Sequence, residues 1–115
     1  MTEQDIQNQI MLALSKHGAV FRTNAGDYWQ GERVFSQEFK QQVLINLRKV
    51  SGLPRGFTDL LVICNGGMAA FIEVKTKTGR PTPEQLNFIE QMKSRGCKAG
   101  VARSPEDAIK IILED

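Results

Sequence analysis

Gly56-Phe57-Thr58-Asp59-Leu60-Leu61-Val62-Ile63-Cys64-Asn65-Gly66-Gly67-Met68-Ala69-Ala70-Phe71-Ile72-Glu73-Val74-Lys75 is the stretch on which the fold of this chain turns. Two apolar runs flank Asn65-Gly66-Gly67, a turn composition that supplies the positive φ values a tight hairpin needs. A hairpin centred on Gly66 pairs residues equidistant from it, and Asp59 and Glu73 are one such pair. Their side chains then share one sheet face, roughly 5 Å apart at Cβ. Lys75, two residues past Glu73, falls on the same face because strand side chains alternate with a period of 2.

The neighbours of these charges are Leu60, Leu61, Val62, Ile63, Phe71, Ile72 and Val74, so both faces of the hairpin are apolar. Such strands read as central ones, covered on each side. A carboxylate taken out of water there loses several kcal/mol of solvation unless something offsets it. Two adjacent carboxylates repel unless a proton or a metal lies between them, and an oxygen-only donor set suits a hard ion such as Mg2+ or Mn2+. The plainer alternative is a salt bridge from Lys75 to one acid, with the other acid at the sheet edge.

With 115 residues, 41% of them hydrophobic, and no internal repeat, the chain reads as one domain over 1–115 with a core of its own. No run of 18 apolar residues and no signal-peptide pattern is present, which leads us to expect a soluble, cytoplasmic protein with no membrane partner. Cys64 and Cys97 stand alone and read as buried free thiols. The formal net charge of +2 is unevenly placed. Between Phe39 and Pro83 the bases are Lys40, Arg48, Lys49, Arg55, Lys75, Lys77 and Arg80, against only Asp59 and Glu73. With those two acids neutralised by metal, the region becomes a basic surface suited to a phosphate backbone; otherwise it is an ordinary solvated face.

Around the hairpin, Thr2 and Asp5 form a capping-box pair, and Ile6, Ile10, Ala13, Leu14 and His17 keep helical spacing up to Gly18. Glu3 and Gln7 lie one turn apart near the start of that helix. Ala19 to Thr23 is a short strand leading to a turn at Asn24-Ala25-Gly26-Asp27. From Tyr28 to Lys40 the pattern is irregular, which predicts a long excursion carrying Trp29, Phe35 and Phe39. Val43, Ile45 and Leu47 alternate as in a strand. Thr82-Pro83-Glu84-Gln85 has the chemistry of a helix start, with Gln85 at the capping-box position and Gly96 at the stop. A strand from Lys98 to Arg103 and a helix begun by Ser104-Pro105 follow, with Ala108, Ile109, Ile112 and Leu113 inward. The sum is an α/β sandwich with the hairpin in mid-sheet.

Asp59, followed fourteen residues later by Glu73-Val74-Lys75, resembles the PD-(D/E)XK nuclease signature. The flanking segments are similar to the virus-type replication-repair nuclease (VRR-NUC) branch: Arg22-Thr23-Asn24, Gly56-Phe57-Thr58-Asp59, Phe71 to Thr76, and Thr82 to Phe88 with Gly96 beyond. Thr58 stands where the older signature often has proline.

The resemblance implies a restriction-endonuclease-like fold, a central mixed β-sheet flanked by helices, and Mg2+- or Mn2+-dependent hydrolysis of DNA phosphodiesters without a small-molecule cofactor. It assigns Asp59, Glu73 and the backbone carbonyl of Val74 to the metal, with Glu3 or Gln7 as the first-helix contribution. Lys75 would orient or deprotonate the attacking water, and Gln85 would line the site. Arg22, Arg48, Lys49, Arg55, Lys77 and Arg80 are the DNA-binding candidates. Small stand-alone relatives, viral and phage ones especially, resemble Holliday-junction resolvases and act as homodimers, and two symmetric cuts in a four-way junction ask for a two-fold pair of sites. The rival readings are a nuclease that trims flaps or nicks duplex, and a DNA-binding module of the same fold without catalysis.

Overall fold

The computed structural model describes residues 1–23 and 27–114. The turn expected at Asn24-Ala25-Gly26 therefore lies outside the described residues, apart from its last member Asp27. The elements run α1 (Glu3–Leu14), β1 (Gly18–Arg22), β2 (Asp27–Ser36), β3 (Gln41–Ser51), β4 (Leu60–Cys64), β5 (Ala69–Val74), α2 (Pro83–Ser94), β6 (Lys98–Ala102) and α3 (Pro105–Leu113). Four strands make a mixed sheet in the order β1-β4-β5-β6. The pairs β1/β4 and β4/β5 are antiparallel, and β5/β6 is parallel across the α2 crossover.

The central hairpin has the expected register: Leu60 faces Ile72 and Leu61 faces Phe71. Gly66 and Gly67 carry φ of +96° and +97° in its turn, a region that costs L side chains steric strain. The alternation then sorts residues between two layers. Leu60, Val62, Ala70, Ile72 and Val74 point toward α1 and α3, where they meet Ile6, Ile10, Leu14, Ala108 and Ile112. Leu61, Ala69 and Phe71 point toward α2 and meet Phe57, Phe88 and Ile89. The rings of Phe57, Phe71 and Phe88 pack with centroids 4.5 to 5.8 Å apart, which anchors the segment before Asp59 to α2.

The caps form as the sequence dictates. Thr2 with Asp5 and Thr82 with Gln85 each close a reciprocal capping box, and the Ser104 side chain accepts from Asp107 N–H. Four readings change. The first helix ends at Leu14 with Ser15 as its cap, so His17 sits in the following turn and Gly18 opens β1. Leu113 is 63% exposed, because only Ala108 and Ile112 of α3 reach full burial. Cys64 and Cys97 are half-buried free thiols. The irregular excursion expected from Tyr28 to Lys40 is largely strand: β2 pairs with β3 over nearly its full length, in a ribbon separate from the main sheet. The strand expected at Val43, Ile45 and Leu47 is β3; in β2 polar and apolar residues do not alternate, since neither ribbon face lies on the core. No described helix is long and apolar enough to cross a membrane.

Candidate active site

Parity along β4 and β5 puts Asp59, Glu73 and Lys75 on the α2 side, at the sheet end where the apolar layer gives out. Thr58 fixes the approach to Asp59. It is fully buried, its hydroxyl donates to the Leu60 carbonyl at 3.2 Å, and its own carbonyl accepts from the Thr23 hydroxyl. A proline at that position has no hydroxyl to donate. Gly56, at φ +87°, is equally constrained, since a β-carbon there would lie 2.6 Å from the Glu84 carbonyl oxygen at the start of α2. Asp59 Oδ2 in turn accepts the backbone N–H of Val74 at 2.8 Å, locking the carboxylate across the hairpin.

Glu73 is 1% exposed, and its Oε2 has no hydrogen-bond partner among the described residues. Its other oxygen, Oε1, accepts from Gln85 Nε2 at 3.3 Å and lies 4.0 Å from Lys75 Nζ. The salt bridge weighed as the plainer alternative is thus present in a long form, and it leaves Oε2 unsatisfied. Burial, reinforced by the neighbouring Asp59 carboxyl and its charge, pushes the Glu73 carboxyl up to about 9, with Lys75 acting in the opposite direction. The charge of Glu3 adds the smallest part of the elevation. Of the two first-helix candidates, Glu3 is exposed and Gln7, one turn on, is half-buried.

Gln85 holds two positions at once. Its Oε1 accepts from Thr82 N–H at 2.9 Å to close the capping box, while its Nε2 reaches Glu73. Beside it, Asp27, Lys49, Arg55, Gly56, Thr82 and Glu84 line an open cleft of about 480 Å³. Lys77 and Arg80 are exposed on the loop between Lys75 and Thr82. The remaining basic candidates are engaged locally. Arg22 folds onto α1, donating to Asn8 Oδ1 at 2.8 Å; Arg48 donates to Gln30 Oε1 at 2.7 Å; Lys49 pairs with Asp27 at 3.0 Å.

Arg103 was not singled out by sequence. Its guanidinium donates to the carbonyls of Thr76 and Gly79 at 2.6 Å each and of Lys77 at 3.4 Å, tying down the loop that follows Lys75. A lone arginine one residue past a strand carries no local signal of that role.

The donor set fits a hard divalent cation. Two carboxylates share a face, one oxygen is buried without a partner, and a cation there would offset the negative charge that burial and the neighbouring acid disfavour. Among the described residues, no group of three His, Cys, Asp or Glu side chains converges as a ready cage. Asp59 and Glu73 are the two carboxylates that could hold such an ion here, with the remaining coordination open to backbone carbonyl, water and substrate.

The sequence profile of the VRR-NUC domain matches residues 1–106. The chain belongs to the VRR-NUC family. Among solved structures, a VRR_NUC domain superposes with a TM-score of 0.55 at 24% identity, covering 96% of this chain and 92% of that one. The VRR-NUC fold is thus restriction-endonuclease-like here, a mixed sheet flanked by helices with a nuclease-type frame. No curated protein matches the chain.

Proposed function

We propose that this VRR-NUC domain is a Mg2+- or Mn2+-dependent DNA endonuclease that acts as a homodimer on branched DNA, four-way junctions foremost. The observation that carries the reading is the Glu73 carboxyl: buried, with an unpartnered oxygen, and set against Asp59, Lys75 and Gln85, the last of which also lines an open cleft. Buried charges are kept without a partner only where a ligand completes them or function requires them.

Asp59, Glu73 and the Val74 carbonyl would hold the cation, which when bound supplies positive charge to a phosphoryl oxygen and acidifies a water. Asp59 is held in place by its bond from Val74 N–H, and the Glu73 carboxyl is kept from turning by Gln85. Lys75 Nζ, within 4.0 Å of Glu73, is positioned to orient the attacking water or take its proton and to offset charge on the scissile phosphate. Arg55 at the cleft, with Lys77 and Arg80 on the adjacent loop, would track the phosphate backbone. No serine, cysteine or histidine nucleophile is needed.

The test is cleavage of labelled four-way junction, flap and linear duplex DNA in Mg2+ and in Mn2+, by wild type and by Lys75→Ala. Paired symmetric cuts in the junction that require metal and Lys75 support the full reading. Preference for flap or linear DNA would replace the substrate with that of a trimming or nicking nuclease, and binding without cutting in either metal would leave a non-catalytic module.

A further inference from the structure

The β2/β3 ribbon stands off the body. The radius of gyration is 17.1 Å, against about 13 Å for a compact chain of this length, and the longest dimension is 57 Å where the other two are 29 and 28 Å. Its strands pair with each other and join no other sheet. The register, with the extra residue of its bulge on β3, places Trp29, Phe35 and Leu44 on one face. Leu47 joins them by lying over Gly31, where its Cδ2 sits 2.8 Å from the position a β-carbon would take. Each of the four keeps between 47% and 60% of its surface exposed. Two-stranded ribbons are marginal alone in water, and an apolar strip of this length on a free one calls for a cover.

Two observations say what the cover is. The ribbon is nearly neutral from Asp27 to Ser51, with Arg33, Lys40, Arg48 and Lys49 against Asp27, Glu32 and Glu38. Two bases share the apolar face, Arg33 and Lys49, and Lys49 is paired with Asp27, so this face offers little free positive charge to a phosphate backbone and suits a protein cover. At the ribbon's base lies an open groove of about 560 Å³ lined in part by Phe21, Tyr28, Leu53 and Leu61. Phe21 belongs to β1, whose outer edge ends the sheet.

We propose that the ribbon is a dimer arm, and that in a two-fold pair each arm lays its Trp29, Phe35, Leu44 and Leu47 face along the Phe21 and Leu53 groove of the second copy. A ten-residue ribbon face is about 34 Å long and about 10 to 12 Å wide, so one face plus an equal landing strip gives roughly 800 Å² per protomer, the size of a standard specific interface. One face laid on one face, with no exchange onto the body, would reach only about half of that. The inference rests on the homodimer of the proposed function and supplies its surface.

Light scattering on the whole chain, without DNA, tests it. Wild type is expected at twice 12.9 kDa. Leu47→Asp and, separately, Phe21→Asp are expected at the monomer mass with an unchanged circular dichroism spectrum; both side chains are exposed in one chain, so neither change opens the core. In a Cys64→Ser, Cys97→Ser background, Phe35→Cys with Leu53→Cys reports directly. Within one chain the two positions lie at opposite ends of the ribbon, about 27 Å of strand apart, so an oxidised disulfide forms only between protomers. A covalent dimer on a non-reducing gel is the expected result. A monomeric wild type, or a dimer indifferent to both aspartates and lacking the crosslink, overturns the proposal, including the case where DNA alone covers the ribbon. Metal-dependent nicking by such a monomer would leave the catalytic reading standing, and a crosslinked dimer that cuts nothing would end that reading and keep the arm.

Discussion

The Gln85 side chain joins α2 to β5: its amide oxygen closes the helix cap on Thr82 while its amide nitrogen, 3.3 Å from Glu73 Oε1, holds the buried carboxyl. One residue therefore sets both where the helix begins and how an acid of the site is oriented.

The two roles separate by substitution. Gln85→Ala loses both, at about 1 kcal/mol for the cap and a few degrees in Tm. Gln85→Glu keeps the cap acceptor and places a carboxylate against Glu73. We expect thermal melts of the glutamate variant near wild type, with cleavage as poor as in the alanine variant. Full cleavage by Gln85→Glu would reduce Gln85 to a helix cap.

Glu73 makes metal-free stability fall as pH rises. Its carboxyl ordinarily titrates near 4.5 and is held at about 9 in the fold, so across that window the folded chain keeps a proton the unfolded chain has released. The stabilisation is complete below 4.5 and is lost through 9, with a slope of up to about 1.4 kcal/mol per pH unit in between. Urea midpoints of the chelator-treated protein are expected to drop from pH 5 to 9 in wild type and to flatten in Glu73→Gln. Parallel pH profiles for the two proteins would place the proton elsewhere.

Cation binding reverses that trend, since a metal between Asp59 and Glu73 displaces the proton. Mn2+ should raise Tm in wild type, more at pH 8 than at pH 6, and chelation should undo it. At 100 times its Kd the ion adds about 2.7 kcal/mol of stability. Asp59→Ala, which also loses the bond from Val74 N–H, should melt at the same temperature with and without Mn2+. Equal protection of that variant would exclude Asp59 as a ligand.

Lys75→Ala removes the cation paired with Glu73 among the described residues while leaving both acids. Loss of a positioned proton-transfer or charge-stabilising group costs typically 10² to 10⁴ in rate. Single-turnover cleavage should fall by that order, with Mn2+ protection against unfolding retained. A fall of less than about tenfold would put Lys75 outside the chemistry.

Arg103 acts at one remove, through the carbonyls of Thr76, Lys77 and Gly79. Lysine cannot reproduce a planar fork serving several acceptors. Arg103→Lys and Arg103→Ala should therefore both weaken DNA binding, measured as a raised KM with a smaller change in kcat, since Lys77 and Arg80 sit on the loop it holds. Rescue by lysine would mean that charge alone matters there.

The sequence by itself determined the hairpin register, the shared face of Asp59, Glu73 and Lys75, and the three helix starts. Each is written in a turn dipeptide, a period of 2 or a cap spaced over three residues, so a window of twenty residues contains the whole cause. Tertiary structure decided the rest. That Gln85 reaches Glu73 depends on how α2 packs against β5 through Phe57, Phe71 and Phe88. That Arg103 holds the loop after Lys75 depends on the parallel pairing of β6 with β5. The β2 half of the ribbon was illegible, and the pairing of β3 with it unforeseen, for a related reason: a strand pair that leans on no core need keep no face apolar for its own chain. Its pattern becomes readable only when the surface that covers it is known.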